Sequence, residues 1–378
     1  MAPRILILTA SVGEGHDLPA RTLATQLVSE DPDVEVVTED GLAPMGRVVT
    51  AISEDAASVV FFRFQWLWDL GFWVFAGFGP TRRLSQALLT RVGGPGLARM
   101  VARVDPDIIV STYPNTTEVL GRFRRDGRIA VPVIAVITDV AAMDYWATPG
   151  VDIHLTSYPD SIEEILRVAG ADAEVHCVHG LTAPAFLTPP DPHDARAALG
   201  LPSGGKIVLV SGGGWGVGDV DGAVEDALVP DDVSQVVCLC GRNEALHNRL
   251  SARFADDRRV RVEGFTDRMT DWMAAADVLV HSTGGLTVLE ADMCGLPVIS
   301  YGWGRGHLRA NNRAFRRFGL ADVVSTRKEL VPAIRRALER GKTSTDMYRE
   351  LPSAASFVLA TLQGSSPASS EAALGVIG

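Results

Sequence analysis

The sequence predicts an α/β protein built from two Rossmann-like domains. Three observations lead there. Short apolar or β-branched runs alternate with helical stretches along the 378 residues, the runs fall into two consecutive series, and a stretch rich in Pro and Gly separates the series. The length fits two domains of ordinary size.

The first series reads "RILILTA", "VEVVTED", "DIIVSTYP", "VPVIAVITD" and "VDIHLTS"; the second reads "KIVLVSGGG", "SQVVCLCG", "RVRVEGF", "DVLVHSTGG" and "PVISYG". Near-continuous apolar runs of this length are those of parallel strands buried on both faces. The expected organisation is a first domain over 1–183, a linker over 184–205, a second domain over 206–345, a C-terminal helix over 346–362 and a flexible tail over 363–378. Ligands of such sheets lie beyond the carboxyl ends of the strands, so two domains facing each other make a cleft.

Composition narrows the classes. Hydrophobic residues make up 47% and charged residues 21%, as in a globular protein with a large core. A net charge of −11 argues against broad nucleic-acid binding. Four cysteines make no disulfide framework and no zinc spacing. Cys238 and Cys240 fall on one face of a strand and read as buried reduced thiols. "ILILTA" is too short for a signal-peptide core and enters a Gly/Glu/His loop, which points to a cytoplasmic protein.

Residues 59–104 stand apart. "VVFFRFQWLWDLGFWVFAGFG" is dense in aromatics, including Trp66, Trp68 and Trp73, with Arg63 and Asp69 as its only charges. After Asp69 no acid occurs before Asp105, whereas Arg82, Arg83, Arg91, Arg99 and Arg103 all do. The charges and glycines interrupt any membrane span. Two readings are open, a buried helical hairpin or an element lying in a membrane interface. The exclusion of acids favours the second.

Four loops carry chemistry. In "SVGEGHDLPA", Gly13 and Gly15 allow a sharp turn and close backbone approach, and the next helix start favours an anion. The dinucleotide fingerprint is incomplete, because Leu18 stands at its third glycine. His16 reads either as a general base for a hydroxyl or as a histidine bonding its own loop. In "VSGGGWGVGD", Gly212, Gly213 and Gly214 bare a strand end so that a phosphate or sugar can lie on backbone N–H groups; a plain turn is the alternative. In "VHSTGGLTVLEADMCGLP", Gly284 and Gly285 open a helix whose start can take a diphosphate, with Ser282 and Thr287 in reach. Glu290 follows one turn inside, where a carboxylate can accept both ribose hydroxyls. Finally, "GWGRGHLRANNRAF" groups Arg305, His307, Arg309 and Asn311 for sugar or phosphate contacts, or as a solvated helix start.

These motifs, with "PDIIVSTYP", "VITD…W…PGVD", "CGRNEAL" and "GFTDRM…AADVLV", occur in an order that resembles the GT-B glycosyltransferases of the monogalactosyldiacylglycerol synthase and processive diacylglycerol glucosyltransferase group, related to the lipid II-forming N-acetylglucosaminyltransferase. The resemblance spans about residues 4–320. It implies a metal-independent hexosyltransferase that takes a UDP-sugar as substrate, needs no cofactor, and acts on a lipid or other hydrophobic hydroxyl while peripheral on the inner face of the cell membrane. The C-terminal domain would hold the donor. Phe265 and Thr266 match the uracil loop, Gly284, Gly285 and Thr287 the diphosphate turn, Glu290 the ribose acid and Asn311 a polar donor position. The N-terminal domain would hold the acceptor, with His16 as base, Glu14 and Asp139 as further candidates, and the aromatic-arginine segment at the membrane.

Some positions depart from the family pattern. Met143 and Thr148 stand where two histidines flank Trp146, Ser282 replaces a Lys or Arg that Arg305 would supply, and His307-Leu308 replaces a Gln/Glu pair. Two other functions are therefore carried forward: a UDP-sugar epimerase of the same fold, and a catalytically degenerate protein that binds UDP or lipid.

Overall fold

The computed structural model describes residues 2–10, 14–50, 79–140, 146–282, 284–302, 304, 307–343 and 346–364. Gly13, Trp66, Trp68, Trp73, Met143, Arg305 and the tail from 365 onward lie outside the described residues. The chain forms two compact units, Met1–Ala183 with Arg349–Gly378, and Pro184–Tyr348.

Unit 1 is a six-stranded parallel sheet in the order β2-β1-β3-β4-β5-β6. Its strands are β1 (Arg4–Thr9), β2 (Glu35–Asp40), β3 (Ile108–Ser111), β4 (Val133–Ile137), β5 (Ile153–Thr156) and β6 (Glu174–Cys177). Its first helices are α1 (Glu14–Glu30), α2 (Gly79–Val104), α3 (Pro114–Arg125) and α4 (Ile162–Ala169). The strands read as unbroken apolar runs because both faces are covered. Ile5 and Ile7 of β1 pack with Leu23 and Leu27 of α1, whereas Leu6 and Leu8 pack on the opposite face with Leu97 and Phe123.

Unit 2 is also a six-stranded sheet, in the order β12-β11-β10-β7-β8-β9. Its strands are β7 (Lys206–Ser211), β8 (Val233–Leu239), β9 (Val260–Glu263), β10 (Val278–His281), β11 (Val298–Tyr301) and β12 (Asp322–Val324), all parallel to their neighbours. Around it lie α5 (Pro192–Leu199), α6 (Val220–Ala227), α7 (Glu244–Arg253), α8 (Met269–Ala275), α9 (Gly285–Met293), α10 (His307–Phe318) and α11 (Arg327–Arg340). Cys238 and Cys240 are buried thiols with their Sγ atoms 4.0 Å apart, well beyond a disulfide.

Residues 184–205, expected as a linker, instead belong to unit 2 and carry α5. Asp191 caps that helix through the His193 N–H, and Gly200 ends it in the left-handed conformation. Arg196 of α5 then reaches Asp277 at 2.7 Å, and the same carboxylate accepts from the Ile207 N–H at the start of β7. The end of the chain differs from the expected helix over 346–362 as well. A single turn at Met347–Glu350 precedes α12 (Ala354–Leu362), which packs on α1 and puts Phe357 and Val358 into the unit 1 core. His179 holds that return, its N–H donating to Pro352 O and its carbonyl accepting from the Ala354 N–H.

The 26-residue α2 is the described half of the aromatic-arginine segment. One side is buried through Gly93, Gly94, Gly96, Leu97 and Met100, while Leu84, Leu88 and Val92 are exposed on another. Among the described residues no helix is long and apolar enough to cross a membrane. Gly96 sets the approach of α2, since a Cβ there would stand 1.6 Å from the carbonyl oxygen of Pro44. Backbone cannot yield as a flexible side chain does. Gly96→Ala is therefore expected to lower the unfolding free energy by about 3 kcal/mol in a urea titration; an unchanged midpoint and slope would show that the contact is not tight.

Candidate active site

The strand order of each sheet reverses at one place, and ligands of open parallel sheets bind beyond the strand ends at such a reversal. In unit 2 the reversal lies between β7 and β10. The loops that follow these strands are the two glycine stretches found in the sequence.

Gly213, Gly216 and Gly218 take positive φ of 69°, 61° and 102°, a backbone that other residues rarely adopt. A Cβ on Gly218 would lie 2.6 Å from Ser282 Oγ, so the β7 loop is laid directly against the β10 loop. The β8 loop clamps it from the other side. Arg242 N–H donates to Gly214 O at 2.8 Å, and the Asn243 side chain donates to Trp215 O at 3.2 Å. Gly214 carries no side chain into this space, and the described atom nearest to where its Cβ would be is an Arg242 guanidinium nitrogen at 3.8 Å.

Helix α9 starts beside Ser282. Its N-cap is Gly284, which brings no capping side chain, and its first turn holds no acid. The positive end of the helix dipole thus lies beside Ser282. A Cβ on Gly284 would meet no atom of the described residues within 4 Å. Thr287 is half-buried on the first turn, and Glu290 is buried one turn further in. Asn311 is buried on α10, next to Asn312, which ties that helix to the end of β11 by accepting from Ser300 Oγ at 2.6 Å and donating to Gly302 O at 3.2 Å. His307 opens α10, placed here by its backbone.

Phe265 is 57% exposed after β9, with the Arg242 guanidinium 4.1 Å above its ring. Thr266, expected beside it at a base, has its hydroxyl engaged by the fold, accepting from Arg268 N–H at 3.0 Å and Trp272 Nε1 at 3.2 Å.

In unit 1 the reversal lies between β1 and β3, and His16 sits there. Helix α1 begins at Glu14, placed by its backbone, so Gly15 and His16 belong to its first turn rather than to a loop. This corrects the expected role of Gly15: it makes no sharp turn, and no atom of the described residues lies within 4 Å of where its Cβ would be. Thr112 Oγ1 donates to His16 O at 3.2 Å, and Thr9 Oγ1 donates to Asp17 at 2.8 Å, which fixes this turn to both strand ends.

The imidazole Nδ1 lies 3.1 Å from Thr112 O. A carbonyl only accepts, so Nδ1 carries the hydrogen and the lone pair of the neutral ring is on Nε2. Tyr113 meets the ring edge-on at 5.0 Å and Trp146 lies 5.5 Å away. Trp146 is buried and donates through Nε1 to Asp139 at 2.8 Å. Asp139 therefore orients the tryptophan that flanks His16. The Thr112 carbonyl had no sequence signal, because it acts through its backbone from 96 residues away.

Thr148 is fully buried. Its N–H donates to His154 Nε2 and its hydroxyl to Glu118, each at 3.3 Å, and Gln86 donates to the same carboxylate at 2.9 Å. Burial raises the Glu118 carboxyl pKa, opposed by the charges of Arg125 and Arg82 and by these hydrogen bonds. Arg82 is thus half-buried and faces inward electrostatically, whereas Arg83 is exposed. No group of three or more His, Cys, Asp or Glu side chains suited to a metal occurs among the described residues.

Two six-stranded parallel sheets, each with its crevice at a reversal of strand order, define the GT-B class of fold. Solved structures share it. MurG from Acinetobacter baumannii aligns over 96% of this chain and 99% of its own at a TM-score of 0.55 and 15% identity. The glycosyltransferase SnogD from Streptomyces nogalater aligns over 96% and 100% at 0.55 and 16%. A UGT transferase from Siraitia grosvenorii, solved with UDP, aligns over 89% and 90% at 0.57 and 12%.

In sequence, residues 18–182 match the model of monogalactosyldiacylglycerol (MGDG) synthase, and residues 222–340 match that of glycosyl transferases group 1. A processive diacylglycerol beta-glucosyltransferase of Staphylococcus aureus (strain MRSA252) is 24% identical over 347 residues, which cover 91% of this chain and 87% of that protein. In sequence the chain is thus related to glycosyltransferases, among them the diacylglycerol glucosyltransferases and MGDG synthase.

Burial also makes a measurable pH dependence. His154 has no solvent exposure, and desolvation lowers its pKa from 6.5 to about 4. Between those values the unfolded chain binds the proton and the folded chain does not. Stability is therefore full above about pH 6.5 and is lost as pH falls toward 4, by about 3 kcal/mol for this one group. Urea unfolding across that window should show a smaller loss for His154→Gln than for the wild type; equal losses would contradict the assignment.

Proposed function

We propose that the chain transfers a hexosyl group from a UDP-sugar to the hydroxyl of a lipid acceptor such as diacylglycerol, at a membrane surface. The observation that carries this reading is the meeting of two glycine loops at the β7/β10 reversal, with Gly218 against Ser282 and the start of α9 beside them. That arrangement suits a diphosphate, and Glu290 one turn inside suits the ribose hydroxyls. Phe265 offers an exposed ring for the base, and Asn311 a polar donor contact.

In this reading, bond breaking at the anomeric carbon puts negative charge on the departing UDP. The α9 N-terminus and the Gly214 N–H of the β7 loop stabilise it by fixed dipoles already in place. No metal or cofactor is required for that role. His16 takes the proton of the acceptor hydroxyl at Nε2 while Thr112 O holds Nδ1–H, and the hydroxyl attacks in a single displacement. Asp139 acts through Trp146 as a positioning residue.

The lipid acceptor is supported by the match to MGDG synthase over the first unit and by helix α2. Leu84 and Leu88 are 69% and 58% exposed, Arg83, Arg91 and Arg99 are exposed on the same helix, and no acid interrupts it. Apolar side chains with arginines at their border suit the interface of an anionic bilayer, on the cytoplasmic side of the membrane.

A UDP-release assay over a panel of UDP-sugars and lipid hydroxyls tests the reading. His16→Ala should lower kcat by about 10²–10⁴ with UDP affinity unchanged, and Glu290→Ala should weaken UDP binding about tenfold in calorimetry. Wild-type transfer rates in the first variant, or unchanged affinity in the second, would remove those roles. In vesicle co-sedimentation, Leu84→Glu with Leu88→Glu should abolish binding to anionic liposomes. Retention of binding by that double variant would place the membrane contact elsewhere.

A further inference from the structure

One prominent side chain of the β7 loop stands in solvent. Trp215 is 60% exposed, whereas the other described tryptophans, Trp146 and Trp272, are buried. An indole gains a good deal from burial, so one held in solvent on a rigid loop calls for a ligand-based explanation.

The loop around it is held at nearly every residue. Trp215 O accepts from Asn243, Gly214 O accepts from the Arg242 N–H, and the Gly216 N–H donates to Gly213 O at 3.2 Å. Gly216 is packed so that a Cβ would lie 2.6 Å from Leu246 Cδ2. The backbone of Trp215 is fixed by the fold while its ring is not covered by it. Among the described residues no aromatic or cationic side chain stacks on that ring.

Its distance from the diphosphate turn is bounded by the chain. Gly218 touches Ser282, and Trp215 precedes Gly218 by three residues, a span of at most about 11 Å. Gly213, Gly214 and Gly216 flank it without side chains. A sugar joined to a diphosphate on the α9 start lies within reach of the indole, and the C–H face of a pyranose is the chemistry an indole face receives.

We propose that Trp215 is the stacking platform for the glycosyl group of the donor and sets the preference among donor sugars. This rests on the reading of unit 2 as a UDP-sugar site. The sugar sits with its apolar face on the indole, and the diphosphate and base are held by other groups. Trp215 therefore acts on the sugar and not on the nucleotide.

Calorimetric titration of the purified full-length chain with UDP, UDP-glucose, UDP-galactose and UDP-N-acetylglucosamine separates the outcomes. Trp215→Ala is expected to weaken the preferred UDP-sugar about five- to tenfold while UDP stays within twofold, and Trp215→Phe to recover most of the loss. Equal weakening of UDP and UDP-sugar would overturn the proposal in favour of a structural role in the loop. Unchanged affinities with a raised KM for the lipid would overturn it in favour of an acceptor contact. If the wild type bound neither UDP nor any UDP-sugar, the donor reading itself would fall, and this proposal with it.

Discussion

The candidate donor site depends on one close approach, the backbone of Gly218 against the side chain of Ser282. The two belong to strands that are neighbours in the sheet yet far apart in sequence, because the strand order reverses between them. The reversal sets the two loops side by side, and the absence of a side chain at Gly218 lets them approach closely. Any side chain at Gly218 would meet Ser282, and φ there is 102°. The start of α9, the glycines of the β7 loop and the buried Glu290 are then brought to one place by topology rather than by any single motif.

Unit 1 repeats the principle with different chemistry. Its reversal between β1 and β3 holds an imidazole whose tautomer is set by the carbonyl of Thr112. Trp146 and Tyr113 pack on that ring, and Asp139 holds the tryptophan. Thr148, where a histidine was expected from the resemblance, belongs to a buried chain with Glu118 and His154. Its part in this protein is to seat the segment that carries Trp146.

The central strands were legible because burial on both faces makes them continuous apolar runs. The two that escaped, β6 and β12, are the outermost strands of their sheets, four and three residues long and partly exposed. An edge strand needs no apolar run, so "EVHC" and "DVV" carry little signal. The Pro and Gly of 184–205 mark turns around α5, but the tie from Arg196 to Asp277 crosses 81 residues and leaves no local trace. At the sites, the glycine loops, His16 and Glu290 stood out by type and spacing. The start of α1 at Glu14, the bond from Thr112 O and the engagement of the Thr266 hydroxyl did not, because each is decided by a partner distant in sequence or by backbone geometry. Trp215 was visible as a letter within a motif; only its exposure distinguishes it from a core tryptophan.

The central claim is that a nucleotide-sugar diphosphate is held where the β7 and β10 loops meet. Hydrogen exchange of the full chain with and without saturating UDP tests this most directly. The account predicts slowed exchange in peptides covering 212–218 and 284–290, with little change across 10–20. Slowing confined to 10–20, or none at the two glycine loops, would contradict it.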